Sequence, residues 1–179
     1  MIRVVARYRS LLGVLAVAYV TGSGCGYKLI DYGESPSGLQ SVSIRTFTNN
    51  SYEPGVEFVV ADALRREFLR RGVVSLIEDA NAADLIISGT VQPIRTRTRS
   101  FSSITLALEW EVTLRLTLHS IRSDGSVVRI DDESMQDTER YLASADIEAT
   151  RQNRDEAIRT MASNLASHVH DMLYELYLP

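Results

Sequence analysis

Ile104-Thr105-Leu106-Ala107-Leu108-Glu109-Trp110-Glu111-Val112-Thr113-Leu114-Arg115-Leu116-Thr117-Leu118 is the stretch that decides the fold. Every second residue from Ile104 to Leu118 is large and apolar, while Thr105, Glu109, Glu111, Thr113, Arg115, Thr117 and then His119 fill the other face. Side chains alternate across an extended strand, so one face of this segment lies on a core and the other meets water. That one-sided pattern belongs to an antiparallel sheet covered on one face. At about 3.3 Å per residue the stretch reaches on the order of 50 Å, more than a compact domain covers flat, so the strand must twist or protrude.

Downstream, Ser123-Asp124-Gly125-Ser126 supplies a tight turn and Val127 to Ile130 starts a returning strand. Upstream, Asp84 to Ser100 forms another strand that meets the long one through a turn at Phe101-Ser102-Ser103, which makes a three-stranded meander. Further back, Val42 to Phe47 alternates as a first strand and stops at the turn-forming cluster Thr48-Asn49-Asn50-Ser51. A helix starts near Pro54, with Val56, Val59, Val60, Ala63, Leu64 and Phe68 at helical spacing, and ends at Gly72; Val73 to Ile77 is the second strand. From about Thr150 to Leu178 the positions Ile158, Met161, Leu165, Val169, Met172 and Leu176 recur every three or four residues, a long amphipathic helix. The order strand, helix, strand, meander, helix predicts an α+β two-layer sandwich: two helices on one face of a mostly antiparallel sheet of four or five strands.

The N-terminus reads differently. Arg3, Arg7 and Arg9 precede an apolar stretch from Leu11 to Val20, then the small residues Thr21-Gly22-Ser23-Gly24, then Cys25, the one cysteine of the chain. Ten apolar residues are too few to cross about 30 Å of hydrocarbon as a helix, so the segment is a leader rather than an anchor. A cysteine after small residues is the acceptor of a bacterial lipoprotein signal, so residues 1–24 are the signal peptide and Cys25 is the lipidated new N-terminus. The position three before it holds Gly22, where a large aliphatic is usual. The competing reading is a plain secretory signal with an incidental cysteine. Residues 25–40, polar and turn-rich around Tyr32-Gly33-Glu34-Ser35-Pro36-Ser37-Gly38, form the tether, and residues 41–179 form a single domain. A lone cysteine allows no internal disulfide, so the core alone must hold the fold. Gly26 after the cysteine, rather than Asp, points to the outer membrane.

Charge and motifs narrow the chemistry. The formal charge is −4, and loss of the three leader arginines takes it to −7, unsuited to general nucleic-acid binding. His168 and His170 stand two apart on a helix, about 200° around its axis, and cannot share a metal; His119 sits on a strand's polar face, and all three read as solvated. Asp131, Asp132 and Glu133 adjoin on a strand exit where neighbours face opposite ways, so they read as a charged exit rather than a cation site. With no phosphate-binding glycine loop, nucleophile elbow or paired cysteines, neither an enzyme, a cofactor nor a metal is expected. Arg65, Arg66, Arg70 and Arg71 lie in the last turns of the first helix, where cations favour the helix dipole.

One constellation stands out. Arg95, Arg97 and Arg99 alternate with Thr96, Thr98 and Ser100, so an extended strand projects three guanidinium groups from one face, about 6.6 Å apart. Two readings stand side by side: the forked donors take phosphate or carboxylate groups of an anionic ligand, or Glu109 and Glu111 neutralise them across the sheet.

Gly24-Cys25-Gly26-Tyr27-Lys28-Leu29, then Phe47-Thr48-Asn49-Asn50-Ser51-Tyr52-Glu53-Pro54-Gly55, then Ala83-Asp84-Leu85-Ile86-Ile87-Ser88-Gly89 and the final helix resemble, in that order, the LptE family of lipopolysaccharide-assembly lipoproteins. The resemblance implies two helices against a four-stranded sheet and a non-enzymatic role. It implies an acylated (palmitate-bearing) protein at the periplasmic face of the outer membrane, which plugs the lumen of the LptD β-barrel, helps it assemble and contacts lipopolysaccharide. The place matching the family's basic, ligand-touching strand is Arg95 to Arg99. A different class, lipoproteins that activate a cell-wall synthase or build an export assembly, sets a similar domain behind a lipidated cysteine and needs neither a basic strand nor a barrel partner.

Overall fold

The computed structural model describes residues 39–101, 107–130 and 135–177. The expectations for the leader, Cys25, the tether up to residue 38, the turn at Ser102-Ser103 and the acids Asp131 to Glu133 fall outside the described residues. The elements are β1 (Ser41–Ile44), β2 (Thr48–Asn49), α1 (Val56–Arg71), β3 (Ser75–Leu76), β4 (Leu85–Val91), β5 (Arg95–Phe101), β6 (Ala107–Arg122), β7 (Val127–Ile130), β8 (Gln136–Leu142) and α2 (Ile147–Tyr177).

The architecture is mixed α+β with two helices, but the sheet has eight strands, not the four or five expected. Three features account for the difference. Thr48-Asn49, expected as part of a turn, pairs in parallel with Thr90-Val91 as β2. The stretch from Asp84 to Ser100 is two strands, because Pro93 lacks an N–H for the ladder and interrupts it at Gln92-Pro93-Ile94. β8 had no counterpart in the sequence reading. The pairs β1–β3, β1–β4 and β2–β4 are parallel, whereas every pair made by β6 is antiparallel.

β6 is the spine. Its 16 residues are shared by two sets of neighbours: the C-terminal part pairs with β4 (Leu85↔Arg122 through Val91↔Leu116) and β7, the N-terminal part with β5 and β8. Val112, Leu114, Leu116 and Leu118 lie on its core face at 2% exposure or less, as the alternation requires. The opposite face is not uniformly wet. Thr117 is buried, and its hydroxyl accepts a hydrogen bond from Gln92 Nε2 at 2.9 Å.

Glycines in the left-handed region bracket α1, Gly55 at φ 86° and Gly72 at φ 66°; Gly72 donates its N–H to the Phe68 carbonyl at 3.1 Å and closes the last turn. α1 buries Val56, Val60, Ala61, Ala63, Leu64 and Phe68; α2 buries Ile158, Met161, Leu165, Val169 and Leu173, all in one core with β1, β4 and β6. Each large side chain so buried contributes roughly 1.5 to 3 kcal/mol. Leu176, assigned to the apolar stripe, is half-exposed, and Tyr177 turns inward to bond Ser120 Oγ at 2.9 Å.

The helical arginines are structural. Arg65 donates to the Ile44 carbonyl at 2.9 Å, and Arg66 pairs with Asp62. Arg70 bonds both carboxylate oxygens of Glu67 (2.9 and 2.6 Å); Arg71 bonds Glu67 at 2.8 Å and reaches across to Ser167 (3.0 Å) and Asp171 (3.2 Å) on α2. Near the same end of the sheet, Asp84 fastens the start of β1: its carboxylate accepts from the Ser41 hydroxyl (2.9 Å) and from the N–H groups of Gln40 (3.0 Å) and Ser41 (2.9 Å). These donors, the Ser41 hydroxyl foremost, hold the Asp84 carboxyl below the usual carboxylate range.

Candidate functional site

The sheet face opposite the helical core carries the candidate site. It begins at the Pro93 interruption: Gln92 still donates its N–H to the Arg115 carbonyl at 2.9 Å, so β5 resumes beside the same strand that β4 left. From there the register sets Arg95 opposite Thr113 and Arg97 opposite Glu111. On the other flank of β6, β8 sets Gln136 opposite Arg115, Thr138 opposite Thr113 and Arg140 opposite Glu111. Directly opposed residues share a face, so Arg97, Glu111 and Arg140 form one row across three strands, and Arg95, Thr113 and Thr138 the next.

These rows enclose an open concavity of about 570 Å³, lined by Gln92, Pro93, Arg95, Arg97, Glu111, Thr113, Arg115, Gln136 and Thr138. Its lining is polar, apart from Pro93. Thr113 and Thr138 hydroxyls bond each other at 3.0 Å across the strands.

The three arginines singled out in the sequence are not equivalent. A register shift between Thr98 and Ser100 takes Arg99 out of step, and its Nε meets Glu111 Oε2 at 3.2 Å. Glu109 faces Arg140 at 4.0 Å, at the limit of an ion pair. Among the described residues, neither Arg95 nor Arg97 is in an ion pair, and both are exposed. The neutralising role expected of Glu109 and Glu111 thus extends to Arg99 and Arg140 and leaves two cations facing the concavity. Two guanidinium groups about 7 Å apart in water repel by only ~0.6 kcal/mol, so the sheet tolerates the pair without neutralisation. Five arginines (95, 97, 99, 115 and 140) against Glu109 and Glu111 give this face a positive balance on an acidic chain. The arrangement can hold a multiply charged anion by forked hydrogen bonds, with hydroxyl and amide partners alongside.

Gln136, Thr138 and Arg140 escaped the sequence reading because β8 shows no apolar alternation: of its inward positions Asp137, Glu139 and Tyr141, one alone is apolar. The faint signal was the alternation of Gln136, Thr138 and Arg140 itself. The histidines stand apart from the site. His168 is exposed and His119 half-buried, but His170 is buried between the helices at 3% exposure, a correction to its reading as solvated. Among the described residues, no three His, Cys, Asp or Glu side chains gather to hold a metal, and no helix is long and apolar enough to cross a membrane.

The family described as LptE, lipopolysaccharide-assembly, matches residues 39–173, three-quarters of the chain. No curated protein matches. Among solved structures, rare lipoprotein B from Shewanella oneidensis is similar with a TM-score of 0.55 at 12% identity, over 76% of this chain and 96% of that one. A lipoprotein B from Nitrosomonas europaea gives 0.50 at 15% identity, over 86% of this chain and 91% of that one. The hypothetical protein CT253 from Chlamydia trachomatis gives 0.50 at 8% identity, over 76% and 96%. At these identities the likeness is one of fold.

Proposed function

The chain belongs to the LptE family of lipopolysaccharide-assembly proteins, and from that premise we propose that it is a lipoprotein anchored through Cys25 at the periplasmic face of the outer membrane, where it plugs an LptD-type β-barrel and hands on lipopolysaccharide. In this reading residues 1–24 are removed as the signal and the tether up to residue 40 spans from lipid to domain. The role is non-enzymatic. Arg95 and Arg97 receive phosphate groups of the lipid A or inner-core part of lipopolysaccharide, and Arg99 joins them by exchanging Glu111 for a phosphate. The observation that carries the proposal is the polar concavity with two uncommitted guanidinium groups on a chain that is acidic overall. The planar forks of these guanidinium groups match phosphate and carboxylate oxygens two at a time, which suits the face to an anion.

The test is lipopolysaccharide capture by the wild type and by Arg95→Gln/Arg97→Gln, each at two salt concentrations, with barrel co-purification from mild detergent as a second readout. Charged hydrogen bonds are worth about 1.5 to 3 kcal/mol each, so the double variant should capture at least tenfold less lipopolysaccharide while staying folded. Wild-type capture should fall with salt as screening rises, and the variant's residual capture should respond less. Undiminished capture by the variant would remove the arginines from the ligand site. Co-purification of a cell-wall synthase or an export assembly instead of a barrel would replace the reading itself.

A further inference from the structure

The interface between α1 and α2 holds a titratable group that the proposed function does not use. The His170 ring meets the edge of Phe68 from α1 at a centroid distance of 5.0 Å and an angle of 63°, and the Tyr174 ring lies nearly parallel to it at 6.2 Å. A small void of about 20 Å³ adjoins the ring, walled by Leu39, Phe68, Leu85 and Leu173. That volume admits one water at most. Leu39 stands two residues before β1, so the void lies beside the start of that strand.

The charged groups around His170 are already committed. On α2, Asp171 Oδ1 stands 3.4 Å from His170 Nδ1 but also takes Arg71 Nη2 at 3.2 Å. On α1, Arg71 is further bound to Glu67 and Ser167, and Glu67 is bound to Arg70. Leu39, the loop residues Val73 and Val74, and Leu85 of β4 bring no titratable side chain. An imidazolium formed here would need a second partner. Asp171 is shared, Arg71 repels it, and the void beside the ring has room for one water at most.

We propose that His170 is a pH-operated latch between the C-terminal halves of α1 and α2: the neutral ring closes the interface, and its protonation under mildly acid conditions parts the two helix ends around Leu39. Burial, the first cause, holds the His170 imidazole below its ordinary value of 6.5; Asp171 works against burial and Arg71 with it. The closed state therefore binds fewer protons than the open one. Closure is undiminished above pH 6.5, weakens as pH falls below that value, and levels off once the closed-state ring itself titrates. Between those limits the opening constant rises by up to about tenfold per pH unit.

Hydrogen exchange of the full chain in mild detergent, corrected for intrinsic rates, tests this at pH 7.5, 6.5 and 5.5. Protection of segments 64–72 and 166–174 should fall by up to about fivefold between pH 6.5 and 5.5, with segment 112–118 of β6 unchanged. His170→Phe keeps a ring in the interface and should abolish that fall. Equal loss in all three segments would make His170 a contributor to global stability and end the latch; so would pH-independent helix ends or an undiminished fall in His170→Phe. If His170→Phe does not fold, His119→Gln and His168→Gln decide: both should retain the fall, and its disappearance in either assigns the proton elsewhere.

Discussion

Replacing Glu67 by Gln tests the charge network that fastens the two helices. The Glu67 side chain is 10% exposed, and the hydrogen bonds from Arg70, with those of Arg71 behind them, hold its carboxyl at about 2 against the upward push of burial, compared with an ordinary 4.5. A depression of that size corresponds to roughly 3 kcal/mol at 1.36 kcal/mol per unit. That figure is a ceiling, because the Arg70 side chain is 65% exposed and water screens the pair. The variant, which retains shape and one acceptor, should lose about 1 to 2 kcal/mol near neutral pH, or about 2 to 8 °C in Tm for a domain of this size. The carboxylate's folded-state affinity for protons is depressed, so its contribution is complete above pH 4.5 and disappears as pH falls toward 2. Wild type and Glu67→Gln should therefore differ at pH 7, and the gap should shrink to about a quarter by pH 2.5 and close only below the folded-state value of about 2, where protonated Glu67 and Gln are near-isosteres. Urea unfolding followed by circular dichroism at pH 7, 4.5 and 2.5 reads both quantities. An equal gap at pH 7 and pH 2.5 would assign the loss to packing, and a gap below about 0.3 kcal/mol at pH 7 would show the network to be a surface ornament.

Two further outcomes are expected. Gly89→Ala in β4 would place a Cβ closer than 3.0 Å to the Thr117 carbonyl oxygen and to the Phe47 ring, and the carbonyl belongs to a paired strand that cannot retreat; overpacking of this kind costs about 1 to 3 kcal/mol, and an unchanged urea midpoint would show that the two strands have slack to give. Cys25→Ser removes the proposed lipid acceptor and should leave an uncleaved precursor without incorporated palmitate, so processed, labelled protein from that variant would end the lipoprotein reading.

The long alternation from Ile104 to Leu118 announced β6 and its buried face because a strand with one wet side leaves a period of two that no local interaction can disguise. The two amphipathic helices and the Gly72 cap were legible for the same reason, since burial and left-handed backbone both leave residue-type signatures. Arg95 and Arg97 were visible as a pattern, although their difference from Arg99 was not. That difference rests on a register shift beside Glu111, and register is a property of two strands together. β8 was invisible because its residues are held by pairing with β6 rather than by apolar burial of their own. His170 and His168 show the same limit: two residues apart on one helix, one is buried and the other exposed, and which of them turns inward depends on the angle at which α2 meets α1. The sequence by itself determined which segments are helix and long strand and which residue types could meet an anion, because those follow from periodicity and charge. Only the tertiary structure decided which arginines remain uncommitted, which strands wall the concavity and which histidine is buried, because each depends on partners brought from distant parts of the chain.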